Sequence, residues 1–372
     1  MAIDGPNPDR PSDGRDGAGY TYPFCMVRAA HIRPGKMSPT VSVVVPVYNG
    51  STWIEETLRS IFQQTYPHSL IEVVVVDDGS QDDSASKARA LLNQHDVQGQ
   101  VVSLARNGGQ GAARNTGWRM ATGEWIQLLD ADDLLAPHKL QLQTERASHV
   151  SDDVAVIYSP WQHFALHDDA WRPVGDVVVS HVDADPVAQI LQDLEFGYFG
   201  PTLLRKSFLE KIGGVKEFPV LGEDIDVMLR LAMAGGAFRQ ADSSEPTFFY
   251  RDTPNSLWRW QVKHVESVRA HYRWLKGVED FRRAFSPEGQ MPEDVRAALV
   301  RRYSRFLEFL IEYDPSTFDE VSSWIRALGV YVPPETTPNM RRLARLMGYE
   351  NGLRLRLAYR QFKARLGRGT RA

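Results

Sequence analysis

Two runs of β-branched residues constrain this chain more than any other feature: VSVVVPV at positions 41–47 and IEVVVVDD at 71–78. Each is almost continuously apolar, the pattern of a strand covered on both faces inside a parallel sheet. Parallel neighbours need a long crossover, and the segment between the runs supplies one. Ile54, Leu58, Ile61 and Phe62 fall on one helical face, behind Thr52 and Glu55 at the spacing of a capping box. After the second run, Gly79 closes the strand and an Ala-rich helix is predicted near Ala85, Ala88 and Leu91. Val101 to Leu104 predicts a third strand, a glycine-broken helix follows from about Gly111, and WIQLLD at 125–130 predicts a fourth strand. This alternation predicts an α/β fold built on a doubly wound, mostly parallel sheet with right-handed crossovers.

Between about residues 150 and 260 the pattern is mixed. It predicts a strand at VAVIYS (154–159), a hairpin around WRPVGDVVV (171–179) and a helix through IDVMLRLAMAGG (225–236). Beyond Trp260 the chain reads as helical. One apolar stripe runs through Val295, Ala298, Leu299, Tyr303, Phe306, Leu307 and Leu310, and a second through Phe318, Val321, Trp324, Ile325 and Leu328. The expected organisation is a disordered leader (1–40), rich in Pro, Gly, Asp and Arg, then a catalytic domain (41–260), a small helical region (261–339) and a basic amphipathic tail (340–372).

Composition excludes several classes. A single cysteine, Cys25, can build neither a disulfide framework nor a cysteine metal site, which fits a reducing cytosol. No stretch reaches the roughly 18 to 20 apolar residues that span a bilayer, and the N-terminus lacks a basic segment followed by an apolar core. A cytoplasmic protein is expected. The net charge of −4 is uneven, because residues 340–372 carry ten Lys/Arg against the single acid Glu350, which leaves −13 on the rest. Nucleic acid is therefore not expected as a partner of the body.

Ligands of an open parallel sheet bind beyond the carboxyl ends of its strands. Here those ends are polar: Pro46-Val47-Tyr48-Asn49, Asp77-Asp78-Gly79-Ser80, Arg106-Asn107-Gly108-Gly109 and Asp130-Ala131-Asp132-Asp133. Turn formers and helix caps would account for any one of these. They do not account for three closely spaced acids after a buried strand. Asp130, Asp132 and Asp133 repel one another unless a cation or hydrogen bonds compensate, and hard oxygen ligands suit Mn²⁺ or Mg²⁺. Such a metal would bridge carboxylates to a diphosphate, pointing to chemistry on a nucleoside diphosphate. The glycines at 108, 109, 111 and 117 do not make a dinucleotide fingerprint, since Gly109-Gln-Gly111 is followed by Arg114 where a glycine is required, and no Gly-Lys-Ser/Thr phosphate loop is present. Arg114 reads either as a cationic fork near the sheet edge or as a surface ion pair. Glu223 and Asp224 read either as acids favouring the positive end of a helix or as a general base with its neighbour.

Taken together, VSVVVPVYNG, VVVVDDGS, NGGQGAARNTG, GEWIQLLDADD and GEDIDVMLR resemble the family-two glycosyltransferases, in family order and at family-like separations over about residues 40 to 260. The resemblance implies a Rossmann-like nucleotide-sugar transferase fold, inversion at the anomeric carbon and usually a UDP-sugar donor. It implies that Pro46 and Tyr48 line the nucleoside pocket, that Asp78 hydrogen-bonds the uracil and that Asn107 and Arg114 contact the nucleotide. Asp130 and Asp132 match the Asp-x-Asp pair, the second as the direct metal ligand. Asp224 matches the catalytic base, with Glu223 beside it orienting the acceptor. Tyr250-Arg251 with Ser256 resembles the loop over the pyrophosphate, where Arg251 and Ser256 would touch phosphate oxygens, although Thr253-Pro254 stands where many relatives carry a histidine. Trp258-Arg259-Trp260 only faintly resembles the signature of processive polysaccharide synthases.

The implied partners are a nucleotide-sugar donor and a saccharide, lipid-linked or other hydroxyl acceptor. Trp161, His163, Tyr198 and Phe199 are acceptor candidates by position, or else core aromatics. Two rivals are a sugar-phosphate nucleotidyltransferase, disfavoured by the lack of a basic glycine-rich loop after the first strand, and a binding protein without activity. In the tail, Leu343, Leu346, Met347, Leu353, Leu355, Leu357, Tyr359, Phe362 and Leu366 accompany the ten basic residues. It reads either as a peripheral membrane contact at the inner face of the membrane or as a basic helix docked on the acidic body, interrupted at Gly348 and Gly352.

Overall fold

The computed structural model describes residues 40–167, 170–182, 186–192, 198–217, 222–253, 292–304, 307–329 and 337–368, with isolated positions from 269 to 279. The chain divides into two units, Met1–Pro34 and Gly35–Ala372, and every described residue belongs to the second. The first unit, with Cys25 and nearly all of the expected leader, lies outside the described residues, as do Ser256, Trp258-Arg259-Trp260 and Phe306.

The chain opens with β1 (Val41–Val47), α1 (Ile54–Phe62), β2 (Ile71–Asp77), α2 (Ser84–Leu92), β3 (Gln98–Ser103), α3 (Gln110–Met120) and β4 (Trp125–Leu128), the alternation its apolar pattern predicts. There follow β5 (Leu134–Leu135), α4 (Lys139–Ala147), β6 (Val154–Tyr158), β7 (Trp161–His167), β8 (Ala170–Val178) and α5 (Pro186–Gln192). Next come β9 (Thr202–Arg205), α6 (Lys206–Ile212), α7 (Glu223–Met233), β10 (Ala237–Gln240) and β11 (Phe248–Arg251). The C-terminal part contains α8 (Glu293–Ser304), α9 (Leu307–Tyr313), α10 (Pro315–Ala327), α11 (Pro338–Met347) and α12 (Tyr349–Arg368).

The main sheet has the order β10-β6-β9-β4-β1-β2-β3. It is parallel except for β9, which runs antiparallel to both β4 and β6. Every residue of β1 and β2 is buried, as continuous apolar runs require of strands covered on both faces. Their register pairs Val41 with Ile71 and Val47 with Asp77, so the two runs end level and deliver Tyr48 and Asp78 to the same sheet edge. Pro46 is tolerated inside a central strand for a specific reason. Val44 accepts from Leu129 N on the β4 side, and Pro46, two residues on, faces that same side where the β4 pairing ends, so its missing N–H falls at the end of the ladder and interrupts no continuing pair.

A second sheet, β5-β11-β7-β8, was not legible as a unit in the sequence. The expected hairpin exists, but WRPVGDVVV forms its second strand instead of its turn. The sheet closes because β11 pairs parallel with β7 and antiparallel with the two residues of β5, which follow the acidic loop directly.

Local expectations are corrected at Thr52 and in the tail. Thr52 does not cap α1: Trp53 is the N-cap, without a side-chain bond. The exposed N–H groups before the helix are instead taken up from the β2–α2 connection, as Asn49 N donates to Ser80 Oγ (2.9 Å), Gly50 N to Ser84 Oγ (2.9 Å) and Ser51 N to Asp82 Oδ2 (3.0 Å). Of the apolar stripe from Val295, Val295, Ala298, Leu299 and Tyr303 lie buried on α8 and Leu307 and Leu310 lie buried on α9, on either side of residues 305–306, which are outside the described residues. In the tail only Gly348, at φ +84°, separates two helices; Gly352 lies inside α12, where a Cβ would come within 3.2 Å of Met340 Cε.

Nor do its glycines break α3. Gly117 is where the helix presses on the sheet: a Cβ there would lie 2.2 Å from Val44 Cγ1 and 3.2 Å from Val76 Cγ2. The close approach seats Arg114, nearly one turn earlier, against the sheet edge. Gly117→Ala is expected to force β1 and α3 apart and cost about 1–3 kcal/mol, read as a lowered urea midpoint at unchanged m.

Candidate active site

The carboxyl ends of β1 and β2 form the first wall. Asp78 spans both faces of the β3–α3 turn, accepting from Gly108 N at Oδ1 and from Gly109 N at Oδ2, each at 2.8 Å. Asn107, whose Oδ1 accepts from Gly109 N at 3.0 Å, supports the same turn. Burial pushes the Asp78 carboxyl above the usual range, against the pull of those two N–H groups. Tyr48, half exposed, stands beside it at the end of β1, followed by Asn49 at φ +50°, whose side chain accepts from Gln81 N. Pro46, Tyr48, Asp78 and Asn107 are thus brought to one edge.

The acidic loop after β4 is held from below and from behind. Thr57 Oγ1, on α1, lies within hydrogen-bonding distance of both Ala131 O (2.8 Å) and Asp133 O (2.9 Å). Arg251 N donates to Asp133 Oδ1 (2.8 Å), and Arg251 Nε donates to Asp132 O (2.6 Å). Asp133 is therefore a structural acid, turned to the β11 backbone. Burial, with the neighbouring charge of Asp130, pushes the Asp132 carboxyl up to about 6.

Arg251 itself has a different setting from the one its motif implies. Its guanidinium is enclosed by the rings of Trp53 (4.5 Å), Trp171 (4.8 Å) and Phe164 (5.4 Å), and Nη2 donates to Glu56 Oε2 at 2.7 Å. Only Nη1 lacks a protein partner. In this arrangement Arg251 clamps the acidic loop instead of displaying a fork to a phosphate. Ser256, its expected companion, lies outside the described residues.

Arg114 is likewise not displayed at the nucleotide edge. At 4% exposure it sits between two motifs, Nη2 donating to Asp130 Oδ1 at 2.6 Å and Nη1 to Glu223 Oε2 at 2.7 Å, with the Phe199 ring 5.1 Å beneath it. Burial alone would lower its pKa, but the carboxylates of Asp130, Glu223 and Asp224 outweigh that and hold it fully charged. Glu223 and Asp224 open α7. Burial pushes Glu223 up to about 7 while Arg114 pulls the other way. Burial also pushes Asp224 up to about 6, opposed by the Ile225 N–H that its Oδ1 accepts at 2.8 Å.

Among the described residues no three His, Cys, Asp or Glu side chains form a ready cage for a metal. The donor set nonetheless fits a hard divalent cation, which is commonly held by one or two carboxylates with phosphate and water completing the shell. Asp130 commits one oxygen to Arg114 and keeps the other on a partly exposed side chain.

Sequence reasoning missed Glu56, Thr57 and the support of Phe199. Thr57 and Glu56 sit beside apolar positions of an amphipathic helix and carry no motif. The one available signal was a threonine one turn after Ile54, on the buried face.

Comparison with known proteins bears on this geometry. The family model for glycosyl transferase family 2 matches residues 42–213. That segment spans the acidic loop and the helix bearing Arg114. Residues 42–213 are thus similar to glycosyl transferase family 2. An uncharacterized glycosyltransferase of Nostoc sp. (strain PCC 7120) is 34% identical over 177 residues, 46% of this chain and 52% of that protein. Bacillus subtilis (strain 168) EpsJ, an uncharacterized glycosyltransferase, is 29% identical over 301 residues, covering 79% of this chain and 85% of its own length. The chain spans about half the length of the Nostoc relative and 39% of a Streptococcus pneumoniae glycosyltransferase. Among solved structures, S. aureus TarS 1-349 in complex with UDP-GlcNAc superposes with a TM-score of 0.61 at 17% identity, over 87% of this chain and 92% of that one. A mannosyltransferase from Pyrobaculum calidifontis in complex with GDP-Man and Mn²⁺ gives 0.51 at 22% identity, over 88% and 83%. At these identities the likeness shows the fold, and the expected nucleotide-sugar transferase fold is the one found.

Removing the buried cation should strand two carboxylates. Arg114→Met is expected to lose about 3–5 kcal/mol of stability, measured by chemical denaturation. Glu223→Gln in that background should restore part of it.

Proposed function

We propose that this chain transfers a sugar from a nucleoside diphosphate donor, UDP-sugars first among the candidates, to an acceptor hydroxyl with inversion at the anomeric carbon. The observation that carries the reading is the Arg114 fork, which ties Asp130 of one motif to Glu223 of another and so assembles donor-side and acceptor-side acids into one site. The match of residues 42–213 to family 2, and folds shared with proteins solved with UDP-GlcNAc or GDP-Man, support it.

In this reading Tyr48 and Pro46 border the nucleoside, and Asp78, fixed by two N–H groups, keeps lone pairs for a base N–H. Asn107 holds the turn at the nucleotide edge, and Arg251 and Arg114 hold the acidic loop from two sides. Mn²⁺ or Mg²⁺ held by Asp132 and Asp130 would neutralise charge on the departing diphosphate. Asp224 accepts the proton of the acceptor hydroxyl as it attacks from the opposite face, and its desolvated carboxyl is a stronger base than an exposed aspartate. Glu223, fixed by Arg114, orients that hydroxyl. One displacement inverts the centre.

Asp224→Asn should leave donor affinity within about twofold while kcat collapses by roughly 10²–10⁴, because a general base acts only during reaction. Asp132→Asn should abolish metal-dependent turnover without unfolding. The assay is release of free UDP, GDP or dTDP from a donor panel, followed by an acceptor screen. With Asp224 as base, turnover requires its deprotonated form and should fall as pH drops through about 6. Full turnover in excess chelator would refute the metal assignment. Loss of donor binding in Asp224→Asn would move that residue from catalysis to binding.

We also propose that α11 and α12 make a peripheral contact with an anionic membrane, beside lipid-linked or envelope acceptors. None of the described helices is long and apolar enough to cross a membrane. One face of the pair docks on α10 through Arg354–Asp319 and Arg326–Glu350, with Met340, Ala344 and Leu353 buried. Another leaves Leu346 82% exposed, with Leu355 and Tyr359 half exposed beside a groove of about 430 Å³ lined in part by Leu343 and Arg356. Exposed apolar side chains among arginines suit a headgroup layer. Co-sedimentation with phosphatidylserine vesicles should require the tail and fall with salt; equal recovery of the full chain and a truncation after Asn339 would exclude the contact.

A further inference from the structure

The four aromatic residues that sequence position suggested for an acceptor divide cleanly in the structure. Trp161 (2% exposed) is core, and Phe199 (6%) is committed to the underside of Arg114. Tyr198 and His163 remain half-buried, and the fold adds Tyr250 of β11, which the sequence offered only as the residue before Arg251, also half-buried. Tyr198 and Tyr250 stack at 5.6 Å with planes 14° apart. Trp161 meets Tyr198 edge-on at 5.1 Å, and His163 meets Tyr250 edge-on at 5.6 Å. Trp161 with the fully buried Phe248 thus forms a floor, and the other three rings form a lip above it.

The lip is linked to the carboxylate site along the chain at two points. Tyr198 directly precedes Phe199 beneath Arg114, and Tyr250 directly precedes Arg251, whose N–H holds Asp133, so each backbone lies about 3.8 Å from a residue of the site. Strand alternation puts Tyr250 on the face of β11 opposite the Arg251 clamp, which packs toward α1 through Glu56. The front of the second sheet therefore carries an aromatic surface with phenol and imidazole edges next to the acidic cluster. Apolar ring faces bordered by a few polar groups are what a pyranose, with a C–H face and equatorial hydroxyls, requires.

We propose that Tyr198, Tyr250 and His163 form the platform on which the acceptor lies, and that the acceptor is therefore a saccharide; this rests on the transferase reading above. The Tyr rings take the C–H face of the acceptor sugar, which leaves its reacting hydroxyl at the rim, toward Asp224.

The test uses the full chain with UDP and Mn²⁺ and a panel of methyl glycosides of glucose, galactose, mannose and N-acetylglucosamine, followed by saturation-transfer NMR. At least one glycoside should show saturation concentrated on its ring C–H protons. Tyr198→Leu and Tyr250→Leu should weaken that glycoside about tenfold while UDP affinity in calorimetry stays unchanged. Tyr250→Phe, which keeps the ring, should retain most of the affinity. If Tyr250→Leu does not fold, His163→Ala at the lip takes its place. Absence of a signal from every glycoside with the wild-type chain, or a signal that persists in the Leu variants, overturns the platform. The transferase reading fails separately, if the wild-type chain binds a glycoside but releases no nucleotide from any donor.

Discussion

A single buried guanidinium organises this molecule. Arg114 stands where three acids converge, and with its charge removed the end of β4 and the start of α7 would repel each other. The two parallel N–H directions of the fork let it bind Asp130 and Glu223 at once, a geometry that a lysine point charge cannot reproduce. Burial makes the arrangement strong and also makes it unforgiving, because each partner left alone would be a desolvated charge. The pair thereby fixes the distance between the acids read as donor-side and the acids read as acceptor-side.

That arrangement needs α3 close to the sheet, which is the role of Gly117 against Val44. It also needs the acidic loop to be rigid, and here the second sheet acts. The short β5 strand pairs with β11, placing the Arg251 N–H on Asp133 and the Arg251 side chain on Asp132 O. Trp53, Phe164 and Trp171 sheathe that side chain, and α1 supplies Thr57 from below. Arg114 and Arg251, which present as ligand contacts in their motifs, thus hold neighbouring carboxylates in place.

Much of this was legible in advance. Continuous β-branched runs announced β1 and β2, amphipathic spacing announced α1 and α7, and the family resemblance over about residues 40 to 260 followed from motifs in series, the family model matching 42–213 of them. Local propensity was less informative where long-range contacts decide. Thr52 has the composition of a cap, yet the N–H groups before α1 bond to Ser80, Asp82 and Ser84 across the sheet edge. Gly352 has the composition of a helix break, yet it is the point at which α12 packs on α11.

What the sequence determined by itself is the α/β class, the order of its first strands and helices, and the collection of acids at strand ends. These depend on periodicity and turn chemistry, which act over a few residues. What only the tertiary structure decided is the partner of each charge. Arg114 and Arg251 carry the same side chain and lie near similar motifs, but one joins two acids across the site and the other is sealed among aromatic rings behind the acidic loop. The difference arises from which strands pair and how closely the helices approach, since the energy of a buried charge is set by neighbours distant in the chain.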